Sequence, residues 1–102
     1  MKKLTSIQAK FLRGLAHTLK PVVFVGQKGI TDALIKSAVE AFQRHELIKI
    51  KFIDFKEKEQ KKEIAAAIEN TTDSRMAGMI GHIAIFYRPH SDPDKRKIVL
   101  PD

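Results

Sequence analysis

The segment from Pro21 to Asp32, PVVFVGQKGITD, decides the fold predicted for this chain. Val22 to Val25 is an apolar, mostly β-branched run between a proline and a glycine, which is typical of a buried β-strand. The tetrapeptide GQKG at 26–29 then forms a loop, and Thr31 is a favourable N-cap for a helix that begins at Asp32. This order of strand, loop and helix predicts an α/β unit whose helix begins beside the loop.

The loop is a candidate phosphate-binding site. Glycine lets an anion approach the backbone closely, and a helix N-terminus presents unpaired N–H groups and the positive end of the helix dipole. KH modules clamp an RNA backbone with a GxxG loop, although theirs joins two helices. The alternative is an ordinary turn, and the spacing matches neither a nucleoside-triphosphate loop nor a dinucleotide fingerprint. The residues expected to form this site are Gly26, Gln27, Lys28, Gly29 and Thr31.

Before this segment, the sequence predicts one amphipathic helix. Thr5 and Gln8 form a capping box at its start. An apolar stripe at helical spacing should be buried; it consists of Ile7, Phe11, Leu12 and Leu15. Another face of the helix is basic and carries Lys10, Arg13 and His17. Gly14 weakens the helix by about 1 kcal/mol relative to alanine, which indicates close packing there or close approach of a partner.

After this segment, the helix should end near His45, and an alternating strand follows from Leu47 to Asp54. Its dry face consists of Ile48, Ile50 and Phe52, and its wet face of Lys49 and Lys51. A charged loop with four lysines (56, 58, 61 and 62) precedes a third helix that ends near residue 71. A final hairpin, 75–80 and 82–88, turns at Gly81.

The predicted order is therefore α-β-α-β-α-β-β. The first two strands are joined through a helix, so they should be parallel, whereas the last two form a hairpin. This gives an α/β (α+β) domain with a mixed four-stranded sheet and three helices. We expect a single compact domain over residues 1–102, with a short tail from about residue 90 whose segment 98–100 packs back.

Positive charge is concentrated in the first third of the chain. Residues 1–31 contain six of the nineteen Lys and Arg residues and none of the twelve Asp and Glu residues. From Asp32 onward the two signs nearly balance, although the whole chain has a net charge of +7. Such segregation favours a polyanionic partner, with nucleic acid ahead of anionic lipid.

Several other classes of function are disfavoured. The chain has no cysteine, which removes thiolate zinc sites and cysteine nucleophiles. The four histidines show no metal-ligand spacing, and no secretory signal or membrane span is evident. An acid–base pair for RNA cleavage would need two groups on one 2′-OH, and nothing supports such a pair in His17 and His82. We expect a binding protein and not an enzyme, with no metal and no cofactor.

Several ordered segments together resemble one known family. They are the run from Phe11 to Thr31, HELIK at 45–49, IGHI at 80–83 and YRP at 87–89. This set resembles the CRM domain (chloroplast RNA splicing and ribosome maturation) in its stand-alone bacterial YhbY-like form, over Leu4 to Pro101. The resemblance implies an RNA-binding domain whose fold is similar to the C-terminal domain of bacterial translation initiation factor three. It also implies an association with precursors of the large ribosomal subunit.

By this resemblance, the family's GxxG loop maps onto residues 26–29 and its basic first helix onto Lys10, Arg13 and His17. One departure lies at 76–79, where relatives carry a more β-branched strand. Gly78 there predicts an irregular strand, through a bulge, away from the RNA-binding face.

We therefore expect a cytoplasmic, monomeric RNA-binding protein that assists assembly of the large ribosomal subunit. Lys20 should lie on the same side as the basic helix and the loop. Lys49, Lys51 and Arg88 either extend this surface or are ordinary solvated strand residues. Tyr87 is a candidate for stacking on a base, but no aromatic platform of the RRM kind is evident, so recognition should favour RNA backbone and shape. The alternative is an adaptor that docks an acidic protein. A membrane partner is not expected, because no amphipathic helix with exposed large apolar residues is evident.

Overall fold

The computed structural model describes residues 1–55 and 57–102, so Lys56 of the charged loop lies outside the described residues. The elements follow the predicted order. They are α1 (Ser6–Ala16), β1 (Pro21–Val25), α2 (Asp32–Arg44), β2 (Leu47–Phe52), α3 (Lys58–Thr72), β3 (Arg75–Ile80) and β4 (Ile83–Tyr87), followed by a short 3₁₀ turn (Pro93–Lys95).

The four strands form one mixed sheet in the order β1-β2-β4-β3. Strands β1 and β2 are parallel, whereas β4 runs antiparallel to both β2 and β3. The parallel pair and the final hairpin, which turns at Gly81 with φ +59°, are as predicted. Strand β1 therefore lies at one edge of the sheet, and its far side pairs with no described strand.

The two faces of the sheet carry separate cores. Helices α2 and α3 cover one face, where the largest buried side chains include Ile50, Phe52 and Phe86. Helix α1 covers part of the other face, where Leu12 and Ala16 pack on β2, β3 and β4. The alternation predicted for β2 is confirmed, since its even-numbered residues face α2 and α3. The opposite face, predicted to be wet, is partly covered, because Leu47 packs with α1 and Lys49 is half-buried.

The apolar stripe of α1 is only partly buried, so this expectation was wrong. Leu12 is buried, but Ile7, Phe11 and Leu15 are exposed. The reason is geometric: the helix touches the sheet along the narrow line of Leu12 and Ala16 and leaves its flanks to solvent. The sequence argument against an amphipathic helix with exposed apolar residues therefore fails. Gly14 meets no atom within 4 Å of an added Cβ, which excludes close packing within the described chain.

Strand β1 is also less buried than its sequence predicts. Val23 and Val25 are buried, but Val22 and Phe24 are 49% and 52% exposed. Helix α1 packs over β2, β3 and β4, so the outward face of the edge strand is left uncovered. The prediction of a strand buried on both faces was wrong for this reason.

The C-terminal segment is held against the domain by a buried carboxylate. The two Glu46 oxygens accept hydrogen bonds from the N–H groups of His90, Lys97 and Ile98 at 2.9, 2.8 and 3.1 Å. Burial opposes the charge on Glu46, but these three donors and the nearby His90 outweigh it and lower the pKa of the carboxyl. Ile98 then packs with Leu100 against the α1 side, as the sequence predicts for this segment.

One lysine of the charged segment is not solvated. Lys61 is buried, and its Nζ donates to the carbonyl oxygen of Gly81 at 2.8 Å. The helix α3 therefore binds the β3–β4 turn through a cation that the sequence pattern assigns to solvent. This contact removes one positive charge from the set available to a ligand.

Candidate functional site

The GQKG loop is a tight turn fixed by its second glycine. The N–H of Gly29 donates to the carbonyl of Gly26 at 3.0 Å, and Gly29 has φ +65°. Gly29 is buried, and a Cβ there would lie 3.4 Å from the ring of Phe55. Gly26, Gln27 and Lys28 are exposed, and Gly26 has open space where a side chain would stand. The first three positions of the loop are therefore accessible to a ligand, whereas the fourth is structural.

Helix α2 begins directly beside this loop. Thr31 is its N-cap, as predicted, and the side-chain oxygen accepts from the N–H of Leu34 at 3.0 Å. The fold thus satisfies one of the amides at the helix start. The N–H groups of Gln27, Lys28 and Ile30 have no hydrogen-bond partner among residues 1–55 and 57–102. These amides, the helix dipole and the Lys28 ammonium together favour an anion.

The basic residues of α1 and of the segment that follows it divide into an exposed group and a group held by contacts within the fold. Lys10, His17 and Lys20 are exposed. Arg13 is half-buried, and its Nη1 donates to the Ala77 carbonyl at 2.9 Å. A Cβ on Gly78 would lie 2.6 Å from Cδ of Arg13, so Arg13 can lie against this strand only because Gly78 has no side chain.

The irregularity expected at Gly78 is confirmed by a register shift between Met76 and Gly78. The prediction that Gly78 lies away from the basic face was wrong, because Arg13 of that face lies directly on Gly78. The lack of a side chain at Gly78 is the physical reason that α1 and its cations can approach β3 closely.

Strand β2 adds two cations to the same sheet face. Lys49 is half-buried, and its Nζ donates to the Leu19 carbonyl, just after α1, at 2.9 Å. Arg13, His17 and Lys49 line one small cavity of about 160 Å³. Lys51 is exposed two residues further along, and the alternation of β2 places it on the face of Lys49.

Arg88 does not join this surface. Its guanidinium lies 6.0 Å from the centroid of the Phe42 ring, on the α2 side of the sheet. Tyr87, one residue earlier, faces α1 and is buried. Burial, reinforced by the charge of Glu46, raises the pKa of Tyr87. Tyr87 is therefore inaccessible to a base, which corrects the suggestion that it could stack on RNA.

A groove runs between the free edge of β1 and the first half of α2. It has a volume of about 540 Å³ and is open to solvent. Phe24 lines one side, Ser37 of α2 the other, and the exposed loop residues Gln27 and Lys28 its end. The sequence pattern missed Phe24 because it predicts that this strand is buried.

Neither a metal site nor a membrane span is found in the described parts of the chain. No three His, Asp or Glu side chains of residues 1–55 and 57–102 come together as metal ligands would. Within those residues, no helix combines the length and apolarity needed to cross a bilayer.

Comparison with known proteins places the chain in a family. The model of the CRS1 / YhbY (CRM) domain matches residues 4–88. The chain belongs to this family. It is 40% identical over 101 residues to an "RNA-binding protein" of Haemophilus influenzae, with 99% of this chain and 98% of the relative covered. It is 35% identical to the "Probable RNA-binding protein YqeI" of Bacillus subtilis, with 96% and 99% covered.

The fold also matches a solved structure. The solution structure of the hypothetical protein SAV1595 of Staphylococcus aureus superposes with a TM-score of 0.81 at 31% identity. The match covers 96% of this chain and 99% of that one. The three-helix, four-stranded architecture of this CRM domain therefore recurs over the full length of a separate protein.

Proposed function

We propose that this CRM domain binds ribosomal RNA, without cleaving it, and assists assembly of the large ribosomal subunit. The observation that carries the proposal is the position of the GQKG loop. Its accessible amides and Lys28 lie at the end of a strand pair that also carries Lys51, within the CRM domain shared with relatives named as RNA-binding proteins. The domain would act as a monomer in the cytoplasm, where bacterial subunits assemble.

The mechanism is electrostatic docking. One phosphate would bind at the loop, against the N–H groups of Gln27 and Lys28 and the positive end of α2. Neighbouring phosphates would follow the sheet face past Lys51 towards His17 and Lys20. One nitrogen of Arg13 and the Nζ of Lys49 donate to backbone carbonyls, so these cations contribute to the electrostatic field at the surface more than to direct contacts with phosphate.

A salt series tests the electrostatic part. Neutralising roughly four to six phosphates predicts that log affinity falls with log salt with a slope of about −3 to −5. Filter binding of ribosomal RNA fragments across salt concentrations measures this slope. A slope near zero would contradict docking through phosphates.

A matched pair of double substitutions tests the loop. Gln27→Asp/Lys28→Asp should abolish binding, because it places two carboxylates where the phosphate would lie. Gln60→Asp/Lys62→Asp makes the same change of charge at exposed positions of α3 that do not line the groove beside the loop, and it should retain most of the affinity. Equal losses in the two variants would show that only net charge matters and that the loop is not the site.

Sedimentation of cell extract on a sucrose gradient tests the role in assembly. The protein should migrate with precursors of the large subunit and shift to the top when the loop carries Gln27→Asp/Lys28→Asp. Migration with small-subunit particles, or binding to anionic phospholipid vesicles in preference to ribosomal RNA, would contradict the proposal.

A further inference from the structure

Phe24 presents an aromatic ring to solvent at a position that the fold does not require to be aromatic. It is 52% exposed, whereas Phe42, Phe52 and Phe86 are fully packed in the core. A phenyl ring on an edge strand gains little from burial when half of it faces water. Its planar face is, however, a surface on which a nucleic-acid base can stack.

The surroundings of Phe24 combine this ring with positive charge. Phe24 pairs with Lys51 across the β1–β2 ladder, and Lys28 lies four residues further along the chain. Phe24 and Lys28 line the same groove of about 540 Å³, a volume within the range of about 300–1,000 Å³ that holds small-molecule ligands. One open site therefore offers an apolar ring and the anion-binding loop together.

Two acidic residues of α2 lie near the groove. Asp32 is exposed at its first turn, and Glu40 borders the continuation of the groove beyond Ser37. Neither residue lines the part that contains Phe24 and Lys28. The charge of that part therefore complements a phosphate, while its ring and the neighbouring Val22 complement the face of a base.

We infer that this groove holds one unpaired nucleotide, with its base stacked on Phe24 and its phosphate at the GQKG loop. The inference rests on the proposed RNA binding and adds that the bound segment is single-stranded. Bases within a duplex are stacked on each other and present only their edges to a groove, so they cannot cover this ring. A peptide strand added to the β1 edge is the other possible occupant, and the experiment separates it from RNA.

The test uses labelled oligoadenylate, labelled oligouridylate and the duplex of the two in fluorescence anisotropy. Wild-type protein should bind the single strands more tightly than the duplex. Phe24→Ala should weaken single-strand binding by about 5- to 160-fold, the range for loss of one stacked base, and leave duplex binding unchanged. Because Phe24 is exposed, the variant should unfold at nearly the wild-type temperature.

Two further variants make the readout specific. The chain contains no tryptophan, so Phe24→Trp introduces a single indole whose fluorescence should be quenched when a base stacks on it, with affinity near that of wild type. Ile80→Ala removes a 67% exposed apolar side chain from the same row of the same sheet face, at the opposite edge. This control should bind the single strands as wild type does.

Failure of this inference is distinguishable from failure of the proposed function. The nucleotide site would be overturned if Phe24→Ala bound the single strands as tightly as wild type, or if the indole of Phe24→Trp were not quenched. In that case, loss of ribosomal RNA binding in Gln27→Asp/Lys28→Asp would still support the proposed function. If wild type self-associates, and Phe24→Ala abolishes this self-association without changing RNA affinity, the groove would hold a peptide strand and the nucleotide site would be overturned. Duplex binding as tight as single-strand binding would also overturn it.

Discussion

The C-terminal segment and the GQKG loop both present clustered backbone amides, but the fold treats them differently. At the C-terminal segment, the Glu46 carboxylate accepts from three N–H groups and lies buried beneath them. At the loop, the described residues supply only the Gly26 carbonyl and the Thr31 side-chain oxygen, and they offer no acceptor to the N–H groups of Gln27, Lys28 and Ile30. The protein thus provides its own anion at one place and is arranged to accept an external anion at the other.

The same division applies to the cations. Arg13, Lys49 and Lys61 each donate to a backbone carbonyl of another element. Exposed cations such as Lys28 and Lys51 have no such contact within residues 1–55 and 57–102. A count of positive charges therefore overstates the number that can bind phosphate directly, because part of the charge holds α1, α3 and the sheet together.

The largest effect should come from removing the internal anion. Glu46→Ala leaves three part-buried N–H groups without their acceptor and should lower the free energy of unfolding by about 3 kcal/mol. Urea denaturation measures this loss, and Glu40→Ala, at an exposed position of α2, is the control and should change stability little. A loss below about 1 kcal/mol would mean that the C-terminal segment is not held by this carboxylate.

Acid should weaken the same contact. The pKa of Glu46 is lowered in the folded state from its ordinary value of 4.5, since three backbone donors and His90 outweigh burial. Its stabilising contribution is therefore fully present above pH 4.5 and is lost as the pH falls through the folded-state pKa. The difference in free energy of unfolding between wild type and Glu46→Gln, measured by urea denaturation, should shrink over that acidic range. A difference that does not change with pH would show that ionisation of Glu46 does not contribute to stability.

The topology was predictable because its signals are local. The Thr5–Gln8 capping box, the Thr31 cap, the alternation of β2 and the turn at Gly81 each depend on residues within a few positions of one another, and the structure confirms them all. The loop and the basic helix could also be identified from the sequence, partly through the resemblance to the CRM family.

The missed features depend on contacts between distant residues. The exposure of Phe24 is set by where α1 docks, and an apolar run has the same pattern whether one or both of its faces are covered. Arg13 meets Ala77 and Gly78 across more than sixty residues of chain. Arg88 follows β4 and meets the Phe42 ring of α2 across more than forty residues of chain.

The two loop glycines should separate structure from binding. Gly29→Ala forces a side chain into a positive-φ position beside Phe55 and should lower the free energy of unfolding by about 1–2 kcal/mol. Gly26→Ala meets open space and should leave stability within about 0.5 kcal/mol of wild type while it weakens RNA binding by blocking close approach to the backbone. Thermal denaturation and filter binding of both variants check this, and unchanged RNA affinity in Gly26→Ala would argue against contact at that glycine.

The smallest effect concerns a cation that the fold has engaged. A Cβ added by Gly78→Ala would lie 2.6 Å from Cδ of Arg13, so the arginine must leave β3 and lose its 2.9 Å hydrogen bond to Ala77. The free energy of unfolding should fall by about 1 kcal/mol. In an Arg13→Ala background the same substitution should have almost no effect, because the displaced side chain is gone. Additive losses in this double-mutant cycle would show that Gly78 acts on the strand alone. If the two losses are not additive and neither single variant changes RNA affinity much, Arg13 would belong to the cations that hold the domain together.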